Sequence, residues 1–226
     1  MIVGLIPARG GSKGIPRKNL ALVGGTSLLA RGISLLKNSG CDRVYVSSED
    51  EEILTAADRC GASQVVRPLE LSSDSTSTES VMLDAINQLN LKYDDLLITH
   101  QLTSPFLQKE SVIKCIEALN QNLVLNSAFV GVLHHSFQWE EMPNGFWEPL
   151  GHSREYRPRR QELPNVLIES GGVYAARVSK ILEFESRFPA PSLGIAISFL
   201  ESLDIDTPED LASARSIIQG VKNNEF

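Results

Sequence analysis

MIVGLIPARGGSKGIPRKNL, residues 1–20, joins a short apolar run to a loop of glycines and cations, and the fold class is read at that junction. Ile2–Ile6 is apolar without alternation, as in a strand buried on both faces of a parallel sheet. Residues 8–20 then carry Gly10, Gly11 and Gly14 with Arg9, Lys13, Arg17 and Lys18, and no acid. In an open α/β sheet, ligands bind beyond the carboxyl ends of the strands, so this loop lies where a ligand would sit.

Working outward, the pattern predicts a helix over about 27–38, a strand at Val44–Ser47, a helix over about 50–60 and a short strand at Gln64–Arg67. The stretch DSTSTESVMLDAINQL, residues 74–89, predicts a helix opened by a capping box from Thr76 to Glu79, with apolar positions Val81, Met82, Ala85, Ile86 and Leu89. Leu96–Thr99 reads as a strand. Val112, Cys115, Ile116 and Leu119 mark the buried stripe of the next helix, and Ala128–Leu133 is another strand. This β-α alternation with short connections predicts an α/β fold with a mostly parallel central sheet flanked by helices. Residues 134–165 break the period and hold both tryptophans; they predict an excursion that packs on a second subunit. Val173–Ala176 and Ile195–Ser198 return as strands, and Thr207-Pro-Glu-Asp starts the last helix with Thr as N-cap.

Composition narrows the class. The 226 residues are 42% hydrophobic and 22% charged with net charge −7, an ordinary globular balance that argues against a general nucleic-acid binder. No stretch approaches the ~20 apolar residues of a membrane span. The N-terminus lacks the charge and cleavage pattern of a secretion signal, and the three scattered cysteines suit reduced thiols, so a cytoplasmic location is expected. Charge is unevenly distributed. Residues 153–160 carry four arginines against one glutamate, and residues 200–210 carry five acids and no base. Two basic patches and one acidic patch suit anionic ligands bound through a divalent cation.

Three segments are candidates for chemistry. In the first loop, Gly10, Gly11 and Gly14 would let backbone N–H groups approach phosphate oxygens, with Arg9 as a bidentate fork and Lys13 as a point charge. The loop is neither a Walker loop nor a dinucleotide fingerprint. Asp204-Ile-Asp206 would project two carboxylates to one face of a strand with Ile205 toward the core, an arrangement that suits Mg²⁺ completed by waters and phosphates. Glu209 and Asp210 are explained as first-turn acids. Arg157-Pro-Arg-Arg-Gln161 fits a carboxylate or phosphate partner and equally a solvated arm. His134 and His135 would point to opposite faces of a strand and have no third ligand. Ser170-Gly-Gly172 lacks the hydrolase pattern G-x-S-x-G.

Together these residues resemble the N-acylneuraminate cytidylyltransferase family. The likeness rests on A-R-G-G-S-K-G-I-P-x-K-N at 8–19, V-S-S-E-D at 46–50, R-P-x-E-L at 67–71 and S-D-S-T-S at 73–77. It continues with Q-L-T-S-P at 101–105, R-P-R-R-Q at 157–161, G-G-V-Y at 171–174 and S-L-D-I-D-T at 202–207. The resemblance implies a Rossmann-like nucleotidyltransferase fold in one domain over 1–226, with residues about 134–165 as dimerisation arm of a homodimer. It also implies Mg²⁺-dependent transfer of CMP from CTP to an acidic nonulosonate sugar, with neither nucleic acid nor membrane as partner. Arg9, Lys13 and Asp206 would be catalytic. Arg9, Gly10, Gly11, Ser12, Lys13, Asn19, Arg67 and Ser75 would bind CTP. Gln101, Thr103, Ser104, Arg160 and Gln161 would face the sugar, and Asp204 and Asp206 would hold the metal. The same chemistry on legionaminate, pseudaminate or 3-deoxy-manno-octulosonate, and a catalytically silent nucleotide-binding homologue, are the alternatives. The chain departs from the family pattern at Glu49, at Leu102, and at Ile168-Glu-Ser-Gly171, where bacterial members carry Arg-x-Asn-Gly.

Overall fold

Burial on both faces of the first strand sets up the layers. In the computed structural model, which describes residues 1–12, 14–163 and 165–222, β1 (Ile2–Pro7) sends Ile6 toward one helical layer and Val3 and Leu5 toward the other. A strand with apolar side chains on both faces needs cover on both, which places it centrally. The sheet is completed by β4 (Arg43–Ser48), β5 (Ser63–Val66), β6 (Leu96–His100), β7 (Ser127–His134), β10 (Val166–Arg177) and β11 (Ser192–Ala196). Two short hairpins stand apart from it: β2 (Leu22–Val23) with β3 (Thr26–Ser27), and β8 (Gln138–Glu141) with β9 (Trp147–Leu150).

The strand order is β11-β7-β10-β6-β1-β4-β5. Every neighbouring pair is parallel except the two made by β10, which runs antiparallel to both β6 and β7. Four helices cover one face: α1 (Leu28–Asn38), α2 (Glu51–Arg59), α4 (Lys109–Gln121) and α6 (Pro208–Lys222). The helices α3 (Thr78–Leu89) and α5 (Val178–Phe184) cover the other. Among the described residues no helix is long and apolar enough to cross a membrane.

Four local expectations are corrected. The N-cap of α3 is Ser77, whose Oγ accepts from the Ser80 amide at 3.1 Å, whereas Thr76 Oγ1 lies 2.9 Å from Ser73 Oγ. Val173–Ala176 is only the end of the twelve-residue β10, which shifts register between Glu169 and Tyr174. The last strand ends at Ala196 rather than Ser198, although the Ile197 amide still donates to Gly131 O at 2.9 Å. Asp204–Asp206 is an extended segment outside the sheet. The alternation holds there nonetheless: Ile205 is 1% exposed, and its amide donates to Thr103 O at 2.9 Å.

Candidate active site

The chain leaves β1 for β4 on one side and returns to β6 on the other, so the carboxyl ends of β1 and β6 flank a topological switch point. A cleft of about 340 Å³ opens there. Arg9, Ser12, Lys18 and Asn19 line it from the loop after β1, Arg67 from the end of β5, and Gln101, Leu102 and Thr103 from the segment after β6. Ser73, Asp74 and Thr76–Thr78, at the start of α3, close the remaining side.

Short contacts shape the loop. Asn19 Nδ2 donates to Arg9 O at 2.9 Å, tying the loop's two ends together. The Gly10 amide donates to Glu49 Oε1 at 2.7 Å, and a Cβ on Gly10 would run into the Asp50 carboxylate. Gly10 therefore serves loop docking in this state, while Gly11 has open space around it. Arg9 Nη1 reaches Asp74 Oδ1 at 2.5 Å, an ion pair across the cleft mouth.

Arg67 is 5% exposed. Its Nε donates to Ser47 Oγ at 3.1 Å and its Nη2 to Ser47 O at 2.6 Å, so its guanidinium is fixed at the end of β4. Burial pulls it below its ordinary value and the nearby Arg9 adds to that, while Glu49 and Asp84 oppose it. Guanidinium pKa values start so high that the charge persists, and Arg67 places a fixed cation beside the cleft.

The two motifs farthest apart in sequence meet here. A Cβ on Gly14 would collide with the backbone carbonyl oxygen of Asp206, so only glycine lets the loop pack on the 204–206 segment. Lys18 Nζ donates to Ile205 O at 2.9 Å and to Asp206 Oδ1 at 3.1 Å. Desolvation raises the Asp204 carboxyl above its usual value and the Asp206 charge adds to this; a bond from Thr103 and the Lys18 charge oppose it. Two carboxylates that crowd each other while facing outward form a donor set that a divalent cation would relieve. Among the described residues no group of three or more His, Cys, Asp or Glu converges, so water and ligand oxygens would complete such an ion's shell.

Of the residues expected at the site, Arg9, Ser12, Asn19, Arg67, Gln101 and Thr103 line one cleft. Asp206 joins it through Lys18, and Asp204 through Thr103. Ser75 is exposed on the 73–76 turn, with its Oγ 3.0 Å from Ser73 Oγ, and its neighbours line the cleft in its place. Ser104 is 2% exposed and packs behind the cleft against Gly172. Gln161 is exposed and does not line the cleft. Lys13, and the side chain of Arg160 at the start of the turn Arg160–Glu162, lie outside what the structure describes. Lys18, Ser73, Asp74 and Thr76–Thr78 are lining residues that sequence reasoning left out. Lys18 carried the same signal as Lys13, a cation in the acid-free loop; Asp74 lay in the S-D-S-T-S stretch, but its pairing with Arg9, 65 residues away, carried no local signal.

Beyond the cleft, the β8–β9 hairpin exposes Trp139, Phe146, Trp147 and Leu150. Arg157 stacks over Phe137 at 4.1 Å and Arg154 over Trp139 at 5.7 Å.

Comparison with known proteins bears on the family and the fold. Residues 3–144 match the family model described as Cytidylyltransferase. The chain is 35% identical over 182 residues to N-acylneuraminate cytidylyltransferase A of Danio rerio, covering 78% of this chain and 41% of that protein. It therefore spans about two fifths of the fish protein's length. It is 32% identical over 220 residues to pseudaminic acid cytidylyltransferase of Campylobacter jejuni subsp. jejuni, covering 93% of both. Among solved structures, a CMP:2-keto-3-deoxy-manno-octonic acid synthetase complexed with CTP superposes with a TM-score of 0.69 at 17% identity, over 96% of this chain and 98% of that one. That likeness concerns the fold.

Proposed function

This chain belongs to the cytidylyltransferase family, and we propose from that premise that it transfers CMP from CTP to the anomeric hydroxyl of an acidic sugar of the N-acylneuraminate type. One observation carries the reading: Gly14 and Lys18 dock the acid-free loop directly on the Asp204–Asp206 segment. That junction supports the reading, since cations suited to a triphosphate stand beside carboxylates suited to a divalent ion.

The sugar hydroxyl oxygen forms a bond to the α-phosphorus of CTP as the bond to the bridging oxygen breaks, and pyrophosphate leaves in line. Catalysis of this kind is mostly positioning and charge neutralisation. Arg9 and Lys13 would bind the phosphates from the loop, and Arg67 adds a fixed positive field. Gln101 and Thr103 would orient the sugar from the segment after β6. Mg²⁺ held by Asp204 and Asp206, when bound, would neutralise phosphate charge and lower the pKa of a coordinated hydroxyl. No histidine lines the cleft among the described residues. His100 is not offered as a base: burial holds it neutral, down to about 4, and its Nδ1 is engaged by Gly172 O.

The exposed aromatic hairpin supports a homodimer in which residues about 134–165 pack on the partner. Arg160 and Gln161, on the same excursion, would reach the sugar carboxylate across that interface. The three cysteines are free thiols, in keeping with a cytoplasmic protein. Pseudaminate as the acceptor is the second reading, favoured by the likeness to the Campylobacter jejuni protein over 93% of both chains.

Pyrophosphate release from CTP and Mg²⁺ decides among these, with N-acetylneuraminate, legionaminate, pseudaminate and 3-deoxy-manno-octulosonate assayed in parallel. Release with N-acetylneuraminate is the expected result. Release with pseudaminate alone would favour the second reading, and release with none of the four, despite CTP binding, would overturn the proposed reaction.

A further inference from the structure

The Asp204–Asp206 segment reaches the cleft from a turn, residues 198–203, whose anchorage the reaction above does not use. The turn follows β11. Within it the Ser202 amide donates to Ser198 O and Phe199 O at 3.3 and 3.2 Å, and the Leu203 amide to Leu200 O at 3.3 Å. Burial does little to hold it, since Phe199 is 74% exposed and Leu200 41%. Glu201 holds it instead. Its Oε2 accepts from the amide and the hydroxyl of Ser198, both at 3.1 Å. Its Oε1 accepts from Ser111 Oγ at 2.6 Å and from the Gln108 amide at 3.3 Å, 90 and 93 residues back along the chain.

Those two distant donors stand at the start of α4. The N-cap of that helix, Gln108, gives it no side-chain bond, and Gln108 Nε2 turns back to Phe106 O at 2.8 Å. A helix start leaves amides without intrahelical partners and favours negative charge, so a carboxylate brought from another segment is stabilised there. Burial opposes the ionisation of Glu201, but the bonds from Ser111, Ser198 and Gln108 outweigh it and hold the carboxyl below its ordinary 4.5.

The connection that receives Glu201 also carries Thr103. Thr103 O accepts from the Ile205 amide at 2.9 Å, and the Thr103 side chain bonds to the Asp204 carboxylate. The chain before α6 is thus tied to the chain before α4 at two points, Glu201 and Ile205, with three residues between them. We propose that Glu201 is a positioning residue for the Asp204–Asp206 carboxylate pair: by bonding the 198–203 turn to the start of α4, it fixes where that pair meets Thr103 and Lys18. Glu201 does not line the cleft. Its effect passes through the backbone and falls on divalent-cation affinity. The inference rests on the reading of Asp204 and Asp206 as the metal pair.

The test compares Glu201→Ala, Glu201→Gln and Asp206→Ala with the parent protein, and adds Ser27→Ala as a control for stability alone. Ser27 caps α1, its Oγ accepting from the Ala30 amide at 3.1 Å, and it does not line the cleft. Mn²⁺ is the probe, its binding followed by water-proton relaxation with CTP present and sugar absent. Loss of a bonded carboxylate behind a metal ligand predicts ~5–10-fold weaker Mn²⁺ binding in E201A. E201Q, whose amide oxygen can still accept from Ser111 and Gln108, should stay within ~3-fold of the parent, and S27A should be unchanged. Hydrogen exchange at the Ile205 amide should quicken in E201A and not in S27A. Parent-like Mn²⁺ binding in E201A with D206A weakened would overturn the positioning role. Equal weakening in E201A and S27A, or unchanged exchange at Ile205 in E201A, would do the same. D206A binding Mn²⁺ as tightly as the parent would instead overturn the metal reading, and this inference with it. Should E201A fail to fold, Ser111→Ala, which removes the 2.6 Å bond and leaves the turn's own sequence intact, carries the comparison with a ~3-fold weakening expected.

Discussion

Arg9 is the cation a triphosphate would meet first, and in the structure its charge is already engaged by Asp74 at 2.5 Å. Both side chains are partly exposed, so the pair is screened and worth at most ~1 kcal/mol. A nucleotide has to displace that carboxylate before its phosphates reach the guanidinium. Asp74→Asn is therefore expected to lower the KM for CTP by ~2–5-fold with kcat little changed. Steady-state kinetics at low and high salt check this; a raised KM would instead make Asp74 part of the nucleotide or cation site. Asp206 has the opposite character. It faces outward beside Lys18 and Asp204, and its ion pair with Lys18 is solvent-screened. Asp206→Ala should reduce Mg²⁺-dependent turnover by at least ~10²-fold while the melting curve stays near that of the parent. Activity surviving within a few-fold would remove Asp206 from the metal site.

At the scale of elements, the N-terminus of α3 separates what local pattern can and cannot decide. STSTES contains two overlapping starts, Thr76 with Glu79 and Ser77 with Ser80, and the structure uses the second. Glu79 was unavailable to a capping box because it pairs with Arg187, 108 residues away. Ser77→Ala is expected to cost about 1 kcal/mol of stability, and Thr76→Ala less than about 0.5 kcal/mol; urea unfolding of the two variants distinguishes them. The same limit explains the other corrections. β1, β4 and β6 were legible because strands buried on both faces read as apolar runs, and the stripe of α4 because its period is local. The first half of β10 was not, since Glu169, Ser170, Gly171 and Gly172 separate the apolar run Val166–Ile168 from the one that begins at Val173. That half is held by pairing to β7, and pairing partners are not written in either strand alone. In the candidate site, the acid-free loop and the Asp204–Asp206 pair were legible as charge patterns. Their junction through Gly14 and Lys18 was not, because it depends on where two distant backbones come together.

Across the whole molecule, a buried and a half-buried titrating group, His100 and Glu79, impose different pH windows on stability. His100, at the sheet centre, is held neutral by burial down to about 4, against an ordinary value of 6.5, although its bond to Gly172 O opposes the shift. As pH falls below 6.5 the unfolded chain takes up a proton that the folded chain refuses, so the folded state loses stability between 6.5 and about 4. At ~1.4 kcal/mol per pKa unit, the loss is on the order of a few kcal/mol. Glu79 acts lower down. Burial opposes its ionisation, but the bonds from Arg187 outweigh this and hold the carboxyl below its ordinary 4.5. Its contribution is present above that value and disappears as pH falls through the folded-state value. Calorimetric melting between pH 7.5 and 3.5 separates the two. His100→Gln should flatten the fall in melting temperature between 6.5 and 4 without changing its form below 4. Glu79→Gln should melt lower than the parent near neutrality and converge with it only below about 4.5. A parent protein whose melting temperature is constant from pH 6.5 to 4.5 would contradict a neutral, buried His100. It would also mean that the ring can take a proton beside Gly172 O, the carbonyl it shares with the Gln101 amide.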